Sequence, residues 1–550
     1  MNSFESYELW VTPLSPIHIG TGEEFVPTNY IIDKGFLHHF DPVKTLGALS
    51  PKDRESLERI LSVLPGEQML RNLQKFFSQT AREMILATSE RQIPVSSVME
   101  EIYEKRLGQV ANHESGPRGK NVINKLEIKR TAYDSVTSRP VLFGSSIRGA
   151  IRTALLNSRI NTVGLQSLGP LAQGPAVKVE KVLFSYDRFE KDPMRLVQMS
   201  DVHCVTPSVT YPSTMVRFGV NRKRSPGVSQ RAPSNLYQTI ECLTTGPLRS
   251  FAGRLNIQSV DKVSAHVNKI PSVRFKVDDV VKSCNDFFRK IFDEEFDGLE
   301  RAGYVDPAWA RGIKTLVNEI PGRPMAFLIR VGHHSGAEAL TLEGMRSIQI
   351  KTRSRELVYK DHPTTYWLAA ESTDQTANLI PFGWALVELT GMCEAPARWP
   401  SLEALCAPAG ARLEKQVEDL STYLASYKGK WEEGMLRKKQ ALADEAQRVK
   451  AETERLASLM AMSPNMRRVE QFSMECLQKI ELLCGRKDKP YTEFYAQAQV
   501  LVKEAIRDGW TREERESLSK VIAEYLPKIL EMDAKTLRQK LALSALLDIP

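Results

Sequence analysis

The sequence predicts an α+β fold with mostly antiparallel sheets, followed by an all-helical C-terminal region. Three observations carry this. Strand-like and helix-like segments mix up to about residue 390 without the steady alternation of parallel βαβ units. A Pro/Ala-rich stretch over 393–410 then reads as a linker. The residues beyond it carry charged, helical patterning.

Taken in order, residues 7–14 read as a strand, Gly20-Thr21-Gly22 as a turn, and 30–33 and 35–40 as two further strands. Residues 43–110 are mostly helical in pattern, punctuated by Pro51 and Pro94, and form a helical insertion. An exposed basic loop is expected at 112–122. A helix follows at 145–158, where Ile147, Ile151, Ala154 and Leu155 share one face. Residues 196–202 alternate as a strand. These elements make a first unit, 1–210. A second unit, 211–392, has strands at 237–243, 325–331, 366–370 and 384–389 and a helix at 277–301. After the linker, 411–456 reads as one long charged helix and 466–547 as several shorter ones, together a helical domain over 411–550.

Composition narrows the class. With 42% hydrophobic residues and a mean hydropathy of −0.31, the chain can build a soluble globular core. It has no run of eighteen apolar residues, so no membrane span is expected. The polar, acidic stretch Met1 to Ser6 has neither a basic n-region nor an apolar h-region, so secretion is not expected. Seven scattered cysteines without a C-x-x-C argue against a disulfide framework or zinc ribbon and fit a reducing cytoplasm. No HExxH or spaced Cys/His cluster occurs, so neither a metal nor another cofactor is expected. Residues 1–410 carry +6 of the net charge of +8, which permits a polyanionic partner.

The most informative segment runs from Pro140 to Leu156. It reads as a strand end, a turn at Gly144 and a helix with Ser145 and Ser146 as N-cap candidates. Arg148 and Arg152 lie four residues apart near the helix start. Free N–H groups beside two guanidinium groups can hold phosphate; a tight strand-to-helix turn with solvated arginines explains the same residues. Gly144 and Gly149 have P-loop spacing, but Ala150-Ile151 stands where Lys-Ser/Thr would be needed.

Three segments share the plan of a strand running into a glycine turn: 17–22, 142–146 and 330–336. Their Gly20, Gly22, Gly144, Gly332 and Gly336 would let a backbone approach a ligand closely. His18, His333 and His334 lie in the first and third. Arg222, Lys223 and Arg224, within the basic segment 217–227, and a second basic segment at 351–355 suit single-stranded RNA. Solvated charge runs are the alternative for both. Two histidines could also act as acid and base, although structural or RNA-binding roles are the commoner use.

These motifs resemble those of RAMP-superfamily CRISPR proteins. Leu14 to Gly22 followed by Tyr30-Ile31-Ile32-Asp33 is similar to their N-terminus, Pro140 to Leu156 to their Gly-Ser-Ser-x-Arg-Gly-Ala-x-Arg-Thr-Ala-Leu segment, and Gly332 to Gly344 with Pro381-Phe382-Gly383-Trp384 to their late glycine loop and final strand. The subgroup most resembled is the fifth subunit of the type III-A Csm effector. The resemblance implies two RRM-like (ferredoxin-like) units and binding of CRISPR RNA, capping the complex near the 3′ end of the guide and aiding its maturation. It implies backbone RAMP subunits and small subunits as partners, and target RNA indirectly. Sibling subunits cut target RNA with an aspartate in the loop after the first strand; here Gly20 to Asn29 contains Glu23 and Glu24 but no aspartate, so a non-catalytic subunit is implied. Two other readings stay open: a metal-independent endoribonuclease using His18 with His333 or His334, and a scaffold acting through 411–550.

Overall fold

The computed structural model describes residues 4–64, 66–108, 126–166, 168, 175–205, 213–224, 236–259, 270–351 and 356–548. The basic loop expected at 112–122, the end of the basic segment at 225–227 and residues 352–355 lie outside them. The chain forms two compact units, Met1–Trp431 and Glu432–Pro550.

Two sheets organise the first unit. Phe4–Pro13 buries Leu9 and Val11 at the two-residue spacing of a strand. It lies between Phe251–Gln258 and Trp384–Thr390 and is antiparallel to both. Ala326–Arg330 extends this sheet on one side and Val202–Cys204 and Val141–Leu142 on the other, with Val197–Met199 also paired to Phe251–Gln258. The second sheet runs Ile380–Pro381, Thr365–Ala370, Thr214–Lys223, Tyr237–Leu243, Ile128–Thr131, Gly20–Phe25. Its one parallel pairing joins Tyr237–Leu243 to Ile128–Thr131. A separate meander, Tyr30–Asp33, Phe36–His39 and Arg91–Pro94, brackets the insertion helices from Pro42 to Thr88, and the helix Ser97–Arg106 follows it. The architecture is α+β with mixed, largely antiparallel sheets.

The helix Gly144–Val163 buries Ile147, Ile151, Ala154 and Leu155, the predicted face. That face shares a core with Phe287, Phe288, Ile291 and Phe292 of the helix Val277–Arg301 and with Leu9, Val11 and Leu386 of the first sheet. The described residues of 43–108 are mostly helical, with the strand Arg91–Pro94 among the helices, and Pro51 opens a helix capped by the Ser50 hydroxyl, which accepts from Asp53 N at 3.1 Å.

Two expected boundaries need correction. Residue 210 does not divide two sheets, because Phe4–Pro13 sits inside strands drawn from beyond it. The linker expected at 393–410 is helical from Pro400, in one helix that runs to Ala461. Proline costs nothing at a helix start, where its N–H would have no partner. Pro408 does forfeit an interior hydrogen bond. Burial of Leu402, Cys406, Gly410 and Leu413 on one face outweighs that loss. Further along, Leu420 and Leu424 join Phe40, Phe76, Phe77 and Ile85 of the insertion in one cluster.

In the second unit, five helices follow the long one, from Pro464–Leu483 to Leu543–Leu547, around Phe472, Trp510, Leu518 and Ile522. Among the described residues, no helix is long and apolar enough to cross a membrane.

Candidate nucleic-acid interface

The first and third glycine turns meet. Ile17 is tied to the second sheet by Leu243 N, which donates to its carbonyl at 2.7 Å. Ile19 N donates to Thr131 Oγ1 at 3.1 Å. Gly20 then pairs with Thr131, and the register slips before Glu24, so the intervening residues bulge out with Gly22 at φ +82°. From the other side, His333 N donates to the His18 carbonyl at 2.8 Å. Gly332 makes this approach possible: a Cβ there would lie 2.5 Å from His18 O, and its φ is +85°. The His18 and His333 rings are 5.9 Å apart, those of His333 and His334 4.0 Å, and His334 stacks on Trp367 at 4.4 Å. Gly219 leaves room for the His334 ring.

A cleft of about 390 Å³ opens where these turns converge, lined by His18, Gly20, Gly22, Glu23, Glu24, Lys129, Arg130 and His333. Four of the predicted site residues thus share one surface. Lys129 and Arg130 were not predicted; the only trace of them in sequence is two adjacent basic residues inside the short strand Ile128–Thr131. Lys129 Nζ donates to Gln238 Oε1 at 3.1 Å, and His333 Nε2 lies 3.2 Å from the same oxygen. Arg130 pairs with Glu23 at 2.8 Å and lies over the Phe25 ring. The two cations face two carboxylates, Glu23 and Glu24, so the cleft carries no surplus positive charge.

Burial favours the neutral form of His18, His333 and His334. Burial pushes His18 down to about 4, against the opposing effect of the Glu241 carbonyl that Nδ1 meets at 2.6 Å. Because a carbonyl oxygen can only accept, Nδ1 carries the proton and Nε2 is left as an acceptor. His334 is lowered to about 3, mainly by burial, and His333 is lowered by burial and Lys129. Beneath them the buried Glu241 accepts from Tyr133 Oη at 2.5 Å, Thr214 Oγ1 at 2.9 Å and Thr131 N at 3.0 Å. Its pKa is raised by that burial.

The other candidates have partners inside the fold. Gly144 N, at the helix start read as a phosphate seat, donates to Asp201 Oδ1 at 2.7 Å, so the chain's own carboxylate fills the position. A Cβ on Gly144 would meet Ser200 O at 2.4 Å, which is a packing requirement. Ser145 is exposed and Ser146 half-buried, and neither caps the helix, whose N-cap is Phe143. Arg148 donates to the Val197 and Met194 carbonyls at 3.1 and 2.6 Å. Arg152 spans Glu180 and Asp192 at 2.6 and 2.9 Å and lies over Phe184. Arg222 is buried and donates to the Gln375, Thr373 and Asn221 carbonyls. Arg224 pairs with the buried Glu338 and covers Tyr366. Gly336, at φ +81°, packs beside Arg330, which forms a buried pair with Glu295 at 2.8 Å. Lys223 closes its strand half-buried, and Tyr304 Oη donates to its carbonyl at 3.1 Å. The four arginines are thus spent on partners within the fold, and the geometry does not bring these residues to the cleft.

A larger cavity, about 900 Å³, has mostly apolar walls including Trp309 and Leu405. Arg217 and Arg412 share Glu371 there at 3.5 and 3.8 Å. None of the predicted site residues lines it.

Comparison with curated proteins gives no match. Among solved structures, a chain of a Csm–crRNA–target RNA ternary complex of a type III-A CRISPR-Cas system is similar, with 14% identity and a TM-score of 0.43 over 70% of this chain and 100% of that one. T. onnurineus Csm5 is similar at 13% identity and a TM-score of 0.41, over 69% of this chain and 99% of that one. The family match is the firmer finding. It spans residues 10–305, more than half of the chain, including the first two glycine turns and both cations of the cleft, and by it the chain belongs to the RAMP superfamily.

Proposed function

We propose that the chain is a non-catalytic CRISPR RNA-binding subunit of a type III effector, acting in the cytoplasm. The guide's sugar–phosphate strand lies in the cleft between the first and third glycine turns. The observation that carries this reading is the meeting of those turns, with His333, Lys129 and Arg130 on the wall they form and the buried His18 beneath it. Neutral imidazoles and bulged backbone suit an RNA strand, whose 2′-hydroxyls both donate and accept. The two RRM-like units, the capping position near the 3′ end of the guide, the part in its maturation and the neighbouring subunits all follow from the motif resemblance.

Guide RNA titrated against the protein at two salt concentrations tests this. Lys129→Ala/Arg130→Ala should weaken binding and flatten the salt dependence by about 0.7 log unit for each phosphate no longer neutralised. Unchanged affinity and slope would remove the cleft from the interface.

The endoribonuclease reading has one observation in its favour, the free His18 Nε2 acceptor in the cleft. Acid–base cleavage also needs a protonated partner, and burial keeps His333 and His334 neutral at pH 7. Cleavage of repeat RNA in EDTA that disappears in His18→Ala would reverse the preference.

A further inference from the structure

From Glu432 to Ser458 every residue of the long helix is exposed. A helix with no packed face draws little support from propensity and side-chain pairs alone. Along this stretch Met435, Leu442, Val449 and Leu456 recur seven residues apart and are 48%, 64%, 57% and 49% exposed. Lys439, Ala446, Thr453 and Met460 stand three residues before or four after them, the second inward position of a heptad. Arg437, Gln440, Asp444, Gln447 and Glu454 occupy the outward positions. A strict seven-residue repeat drifts around a straight helix and stays on one seam only when two helices supercoil.

We propose that this stripe is the seam of a parallel, two-stranded coiled coil with a second copy of the chain. Charge decides the occupant and its direction. Glu445 and Lys450 flank the seam on opposite sides, five residues apart. In a parallel, in-register pair, Glu445 of each copy meets Lys450 of the other, giving two ion pairs. The antiparallel pairing that overlaps the whole stripe sets Glu445 against Glu452 of the other copy twice. Lys439, facing inward, weakens the pair and fixes its register.

Sedimentation velocity of the full chain at rising concentration reads the outcome. Reversible dimerisation is expected, and Leu442→Glu/Val449→Glu, at exposed positions outside both cores, should abolish it. Glu445→Lys should raise the dimer dissociation constant roughly tenfold. Adding Lys450→Glu should restore it, which a folding defect could not do. Val449→Cys should form a disulfide between copies beyond that of the unsubstituted chain, as only the parallel register brings the two Val449 positions together. A single monomer mass up to roughly 100 µM, where weak pairs become measurable, overturns the proposal. So does a dimer indifferent to the charge reversal, or a stripe that binds a different protein's helix without self-association.

Discussion

Arg152 carries two carboxylates, the Tyr186 hydroxyl and an aromatic face. Truncating it leaves Asp192, which is nearly buried, without its cation. Arg152→Ala should cost about 2–3 kcal/mol in urea unfolding and leave the salt slope of guide binding unchanged; a changed slope at full stability would put the side chain on RNA. A sequence shows that a residue is cationic, but not which carboxylates it will meet 28 and 40 residues further on. That is why the arginines read as phosphate ligands are spent on partners inside the fold, while Gly20 and Gly22, read for backbone approach, and His18 and His333, read as further RNA contacts, line the cleft. The histidines also set a pH dependence. Burial lowers His18 and His38 to about 4 and His39 and His334 to about 3. Unfolded, each takes up a proton near pH 6.5, so between about pH 6.5 and 4 the unfolded chain binds more protons. Stability should be full above pH 6.5 and fall as pH drops toward 4. Denaturation midpoints constant across that window would refute neutral burial.

Among elements, the helix Gly144–Val163 shows local pattern and tertiary context acting together. Its apolar face was legible from spacing. The occupant of its N-terminus was not, since Asp201 lies beyond another helix and a strand. Asp201→Ala should cost about 1 kcal/mol, the value of a typical N-cap, measured by thermal unfolding; no change would mean that water replaces the carboxylate at no loss. The helix Val277–Arg301 was read to its ends, because its 3.6-residue periodicity runs unbroken over seven turns. Thr214–Lys223 was harder. Its arginines and glycine resemble a basic loop, yet it is the third strand of the second sheet, and Gly219 serves to admit the His334 ring. Pro400 and Pro408 likewise read as linker, where packing against the sheets made helix.

For the whole molecule, the division that matters falls at residue 431 and not at 410. Leu413, Leu420 and Leu424 are buried in the first unit. A chain ending at 431 should unfold cooperatively and keep its affinity for guide RNA. One ending at 410 should lose roughly 4–6 kcal/mol, from three leucines no longer buried. Equal thermal stability of the two would show that the first part of the long helix is dispensable. Loss of subunit assembly with RNA binding intact in the longer truncation would favour the scaffold reading. The place of the N-terminal strand has a consequence during synthesis. Phe4–Pro13 pairs with Trp384–Thr390, so this sheet cannot close until the ribosome has translated nearly four hundred codons. At roughly 5–20 residues per second that takes about 20–80 s, and until Phe251–Gln258, its other partner, has been made the nascent strand exposes Leu9 and Val11 and offers a natural target for a holding chaperone.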